Sequence, residues 1–219
     1  MSTTLTIDFV SDVSCPWCAI GLSALELALE RLAPELDAEL HFQPFELNPG
    51  MPAGGQDITE HLTQKYGSTA QQQKSIRDTI RQRGAELGFT FRMEGRDRIY
   101  NTFDAHRLLH WAEVEGQPGQ QLALKKALLE AYFTDGQSPE SHAVLTQAAV
   151  SAGLDPVRAQ AVLASDAFAD DVREREQLYL NAGIHSVPAV IINRQHLISG
   201  GQPVAVFEQA LRQIAAASA

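Results

Sequence analysis

Leu5, Ile7 and Phe9 alternate with Thr6, Asp8 and Val10. A period of two predicts a strand over residues 4–10. Ser11 and Asp12 break it, and the spacing then changes. Leu22, Leu25, Leu29 and Leu32 recur at three- and four-residue intervals, which predicts a helix from the Cys15 region up to Pro34. A second strand is expected over 39–45, with Leu40 and Phe42 inside it. Strand, helix, strand in that order favours a parallel pair.

The segment Asn48-Pro49-Gly50-Met51-Pro52-Ala53-Gly54-Gly55 interrupts this pattern. From 57 to 183 the sequence reads as almost continuous helix. Asp57 with Glu60 fits a capping box, and Asn101 with Asp104 resembles one. Ser138-Pro139 and Asp155-Pro156 each place a capping residue before proline at a first helical position. Gly67, Gly88, Gly116, Gly153 and Gly183 stand where helices should stop. Phe89 to Met93 reads as a short extended interruption. Near the end Val187-Pro188-Ala189-Val190-Ile191-Ile192-Asn193 reads as a strand, with a hairpin turn at Asn193-Arg194-Gln195 and a return strand at 196–199. Pro203 opens a last helix running through Leu211. The expected architecture is α/β: one discontinuous domain, 1–47 and 184–219, with a helical insertion over 48–183.

Composition narrows the chemistry. With 44% hydrophobic and 20% charged residues the chain is globular rather than disordered. Its formal net charge of −10 opposes a phosphate backbone, so no nucleic-acid partner is expected. No apolar run approaches the roughly 18 residues of a membrane helix, so no membrane partner is expected either. Residues 1–10 do not resemble a secretory leader, and a cytoplasmic location is expected.

The two cysteines lie together in Ser14-Cys15-Pro16-Trp17-Cys18. A bridge closing so short a loop adds little stability, and a zinc site needs about four ligands. The pair therefore points to redox chemistry. At a helix start, Cys15 would be the N-cap and Pro16 the first helical residue, where its missing N–H costs nothing. Unpaired N–H groups and the helix dipole would stabilise a Cys15 thiolate. Thiols in such settings ionise between about 3.5 and 7.5. Cys15 is the expected nucleophile and Cys18 the resolving thiol. Trp17 either walls the sulfur or packs.

Four segments, Ser11–Gly21, Pro44–Pro49, Asn101–Leu108 and Ser199–Pro203, resemble the DsbA family and its FrnE-like branch of dithiol-disulfide isomerases. The resemblance runs along essentially the whole chain. It implies a thioredoxin-like fold with a large all-helical insertion. It also implies that Pro188, in Ser186-Val187-Pro188-Ala189-Val190, is cis and that the Val187 backbone pairs with an extended substrate. Pro16, Trp17, Val187 and Pro188 are thus the expected substrate-binding residues. The partners implied are protein or small-molecule thiols and disulfides. No cofactor is called for beyond the redox-active pair, with glutathione a candidate co-substrate. The periplasmic members typically carry Pro-His between their cysteines where this chain has Pro16-Trp17, so their oxidising strength does not carry over. A glutathione-linked isomerase or transferase of the 2-hydroxychromene-2-carboxylate isomerase and kappa type is the alternative, although those enzymes commonly place serine at the attacking position. A non-catalytic thiol-bearing binding module is the second alternative.

Four further residues are candidates around the thiols. Asp8, on the face of its strand opposite Leu5, Ile7 and Phe9, either relays a proton to Cys18 or simply hydrogen-bonds at a strand end. Asp12 reads as a loop or capping residue. His106 either supports the active site or packs the insertion onto the core; with His110 and Glu113 it has a spacing that could hold a metal, but no metal is expected. His185 either stands near Cys15 or is exposed in its loop.

Overall fold

The computed structural model describes residues 3–33, 35–92 and 96–217. β1 (Thr3–Ser11), α1 (Pro16–Leu32) and β2 (Leu36–Pro44) come first. They are followed by β3 (Gln56–Asp57), α2 (Ile58–Tyr66), α3 (Ala70–Glu86), β4 (Arg98–Ile99), α4 (Phe103–Glu115), α5 (Gln120–Phe133), α6 (His142–Ser151), α7 (Pro156–Leu163) and α8 (Ala169–Asn181). β5 (Ala189–Ile192), β6 (His196–Ser199) and α9 (Val204–Ala217) complete the chain.

The main sheet has the order β2-β1-β5-β6. β1 and β2 are parallel, as strand–helix–strand order requires, with Ile7 opposite Leu40 and Phe9 opposite Phe42. β5 runs antiparallel to β1, and β6 antiparallel to β5. The hairpin between them turns on Asn193 and Arg194, both at positive φ (52° and 56°). Two successive left-handed residues match the twist of the flanking strands.

The alternation read from β1 sorts its side chains between two faces. Leu5, Ile7 and Phe9 are fully buried in a core shared with Leu22, Leu25 and Leu32 of α1 and with Phe207 and Leu211 of α9. Val10 faces the other way and packs with Ile184 and Ala189. A second core joins α4, α5, α6 and α7, and Val13 from the β1–α1 loop inserts into it. α5 belongs to both. Leu124 and Leu128 pack in the second core, whereas Leu129, Tyr132 and Phe133 pack in the first. This helix couples the long middle segment to the layer beneath the cysteines.

The middle segment departs from the sequence reading in several places. It is not all helical: β3 and β4 pair antiparallel, Gln56 with Ile99 and Asp57 with Arg98. Two-residue strands carry no readable period. Phe89–Arg92 is irregular rather than extended, and Met93 lies outside the described residues; Phe89 and Phe91 fold into a ring cluster with Phe133. No helix starts at Ser138-Pro139. Those residues form a turn, and α6 begins after Ser141. Asn101 Oδ1 accepts the Phe103 N–H at 2.9 Å, but the N-cap is Thr102. Asp57 caps α2 and Asp155 caps α7 as expected. A complete capping box stands at Thr69 and Gln72, which the sequence reading passed over.

Candidate active site

The β1–α1 loop delivers Cys15 to the start of α1. Cys15 is the N-cap in extended geometry, and its Sγ accepts the Cys18 backbone N–H at 3.3 Å. Pro16 occupies the first helical turn, where its lack of an N–H leaves no bond unmade. Both thiols are free. Cys15 is 3% exposed and Cys18 fully buried in the first core.

The second wall is the loop ahead of β5. The Val187–Pro188 peptide bond is cis. The Cys15 thiol points at the Val187 carbonyl oxygen, 3.8 Å away. Two glycines make the approach feasible. A Cβ on Gly21 would sit 3.0 Å from Pro188 Cγ, and one on Gly201 would sit 2.9 Å from the Trp17 carbonyl oxygen. Without side chains, α1 and the β6–α9 turn close on the cysteine loop. Trp17 is half-buried against the first core, with the Arg83 guanidinium 5.3 Å from its ring centroid. Arg83 in turn donates to the Gly201 carbonyl at 2.8 Å. The indole therefore packs between α1, α3 and the C-terminal turn.

Behind the thiols lies a buried layer of titratable groups. Burial pushes the Cys18 thiol well above the ordinary thiol range, and Cys15 beside it adds to the effect. Lys125 and the Asp12 backbone pull the other way. Asp12 is fully buried. Its carboxylate accepts the Ser14 N–H at 3.1 Å and the Leu47 N–H at 2.7 Å. Burial alone would raise its pKa, but His106 and these two donors outweigh it and hold the carboxyl below its ordinary value. His106 Nε2 lies 3.6 Å from Asp12 Oδ1, an electrostatic contact rather than a hydrogen bond. His106 thus stands behind the cysteine loop, reaching it through Asp12, which keeps the loop role expected of it.

Two expectations need correction. Asp8 does not lie below the cysteines. Its strand position turns it to the opposite face, where its carboxylate accepts from Gln43 Nε2 at 2.7 Å. There it lines a cavity of about 690 Å³ with Arg175, Tyr179 and Arg194. A relay to Cys18 would have to cross the sheet. His185 is exposed on the loop before β5, and among the described residues no hydrogen bond or ion pair joins it to Cys15. His106 and His110 diverge as well: His110 Nδ1 lies 3.5 Å from Glu113, while His106 faces Asp12. Asp104 pairs with Arg107 at 2.7 Å and with His142 at 2.9 Å, so it serves packing within the helical segment. Among the described residues no cluster of histidine, cysteine and carboxylate side chains has metal-site geometry, and no helix is long and apolar enough to cross a membrane.

The sequence reading missed Lys125. It lies on α5, fully buried, with Nζ 5.9 Å from the Phe42 ring centroid. In the structure Gln121, Lys125, Leu128 and Tyr132 form one buried stripe at helical spacing.

A strand–CxxC-helix–strand unit closed by a cis-proline hairpin and a final helix defines a thioredoxin-fold dithiol protein. A family model, the DSBA-like thioredoxin domain, matches residues 6–212. The chain belongs to this DsbA-like family of thiol oxidoreductases and isomerases. A crystal structure described as a probable DsbA oxidoreductase, SCO1869 from Streptomyces coelicolor, superposes with a TM-score of 0.87 at 36% identity, covering 95% of this chain and 89% of that one. YwbO, an uncharacterized protein of Bacillus subtilis strain 168, is 28% identical over 95% of this chain and 96% of its own length. The cytosolic disulfide reductase DsbM from Pseudomonas aeruginosa, solved with GSH, shares the fold at a TM-score of 0.60 and 19% identity, over 94% of this chain and 99% of that one.

Proposed function

We propose that the chain catalyses thiol–disulfide exchange, with Cys15 attacking and Cys18 resolving. One observation carries this reading. Cys15 Sγ sits at a helix N-terminus, accepts a backbone N–H there and faces the Val187 carbonyl, while Cys18 waits one turn deeper in the core. A thiolate at the N-cap is favoured by the N–H donors and the helix dipole. It attacks one sulfur of a substrate disulfide. A Cys15–substrate disulfide forms, and the other half leaves as a thiolate. Cys18 then loses its proton and attacks Cys15 Sγ, which closes the Cys15–Cys18 bond and expels the second substrate thiolate. The substrate disulfide is reduced and the protein dithiol is oxidised; the reverse sequence donates a disulfide.

The Val187 backbone beside the sulfur suits an extended peptide, whose main chain can pair with it while its cysteine reaches Cys15. Glutathione is proposed as a small-molecule partner of the same site, since DsbM carries GSH on this fold. Pro16, Trp17 and Pro188 shape the approach.

The test is exchange with oxidised glutathione and with a disulfide-bonded peptide. Cys15→Ser should abolish exchange. Cys18→Ala should accumulate a mixed disulfide on Cys15, visible by mass spectrometry. In the reduced wild-type protein Cys15 should be alkylated before Cys18 at pH 7. Prior labelling of Cys18, or exchange surviving in Cys15→Ser, would overturn the assignment.

A further inference from the structure

We propose that Arg83 selects disulfides that carry a carboxylate, by holding that carboxylate beside Trp17 while the disulfide reaches Cys15. The inference rests on the exchange reading above and narrows its substrate class.

Helical spacing turns Arg83 towards the cysteine helix. Ile80, one turn before it, and Leu87, one turn after, both pack in the first core together with Trp17. The Arg83 guanidinium stands 5.3 Å from the Trp17 ring centroid, and its Nη2 donates to the Gly201 carbonyl at 2.8 Å. Trp17 lies between the two cysteines, on the first turn of α1. The Gly200–Gly201 turn backs the other wall of the site, because the Gly200 N–H donates to the Pro188 carbonyl at 2.8 Å. Arg83 thus touches the indole on one side of the approach to Cys15 and the turn behind the cis-proline on the other. A substrate sulfur that reaches Cys15 passes between these walls, so the groups flanking that sulfur come to rest beside Trp17 or Pro188.

The charge of Arg83 is not spent within the chain. Among the described residues it makes no ion pair, and its Nε and Nη1 find no acceptor beyond the single bond to Gly201. The acids of its own helix are engaged elsewhere. Asp78 pairs with Lys74 at 2.7 Å and with Arg81 at 3.5 Å, and Glu86 accepts from Gln82 at 3.0 Å. Arg158, Arg173, Arg175 and Arg212, by contrast, each pair with a carboxylate. Arg83 and Trp17 are both half-buried, in a chain whose net charge of −10 otherwise opposes anions. The indole covers one face of the guanidinium and leaves its edge N–H groups to a planar acceptor, a demand that a carboxylate meets. A neutral group at that place gains no charge contact, and an ammonium group is repelled.

The test uses the reduced full-length protein and three small aliphatic disulfides that differ in charge: anionic dithiodipropionate, neutral hydroxyethyl disulfide and cationic cystamine. The rate constant for oxidation of the Cys15–Cys18 pair is read by alkylation quench and mass spectrometry. For each disulfide the ratio of variant to wild type cancels the reagent's own reactivity. In Arg83→Met the dithiodipropionate rate should fall about 5-fold, the factor expected of a solvent-facing charge pair. Hydroxyethyl disulfide should change less, and cystamine should react faster. The difference from wild type with dithiodipropionate should narrow in about 1 M salt, which screens a charge contact but not a packing defect. Arg83→Lys, which keeps the charge, should restore part of the rate. An equal fall with all three disulfides, or no fall with dithiodipropionate, would refute the role. Failure of all three to oxidise the wild type would instead refute the exchange reading. The wild type also supplies a test that needs no variant. Cys15 should be alkylated by anionic iodoacetate, relative to neutral iodoacetamide, in a higher ratio than N-acetylcysteinamide shows. A ratio at or below that of the model thiol would overturn the inference even if Arg83→Met failed to fold.

Discussion

Asp12 joins the cysteine loop to the strand end after β2, because one carboxylate oxygen binds Ser14 N–H and the other Leu47 N–H. Its charge is part of the fold's stability, and the sign follows from its lowered pKa. A carboxyl held below its unfolded value of about 3.9 stabilises fully above that pH, and the contribution fades as pH falls through the folded value. Hydrogen bonds to a charged group are worth about 1.5–3 kcal/mol. Asp12→Asn should cost about that much at pH 5–7 by urea denaturation, with the difference from wild type shrinking below about pH 4. A difference that persists unchanged at pH 3 would mean that shape, not charge, sets the cost. The loop role of Asp12 was legible from its place between a strand and a cysteine. Lys125 was not, since lysine is almost never fully buried and its neighbour on the helix behaves in the usual way. Asp8 was misplaced for a different reason. Alternation assigned its face correctly, but nothing local says which face of a sheet the cysteine helix will cover.

At the scale of elements, residues with strong periods were readable and residues with tertiary tasks were not. β1 and the α1 leucines follow from spacing, β5 and β6 from an apolar run and the turn after it, and the observed ends differ from the expected ones by a few residues. β3 and β4 exist only because each meets the other. Ser138-Pro139 has the local chemistry of a helix start, but the chain turns there and starts its helix after Ser141. Gly84 shows the same override within α3. A methyl group there would run into the Phe91 ring and lie 2.8 Å from the Phe89 carbonyl oxygen. Alanine is the better helix former by about 0.8–1.0 kcal/mol, while overpacking typically costs about 1–3 kcal/mol. Gly84→Ala should therefore lower the melting temperature by up to several degrees, at about 2–4 °C per kcal/mol for a chain of this size. A rise would show that the Phe89–Phe91 turn yields to the methyl group.

The whole molecule builds the two walls of its candidate site from parts far apart in sequence. Cys15 and the Val187 carbonyl that it faces are separated by 172 residues. β1, α1 and β2 are made first, β5, β6 and α9 last. On the ribosome, at about 5–20 residues per second, the cysteine pair precedes its facing loop by roughly ten to thirty seconds. During that interval α1 lacks the cover of Phe207 and Leu211, so the burial of its two cysteines is not yet complete. Ribosome-tethered chains ending at residue 183 should alkylate both cysteines at similar rates, unlike the finished protein; preferential labelling of Cys15 in such chains would show that the early elements suffice. On the proposed exchange reading, the emerging polypeptide would carry two thiols alike in exposure, and an inner and an outer sulfur would be told apart only once the segments after residue 183 fold back over the first.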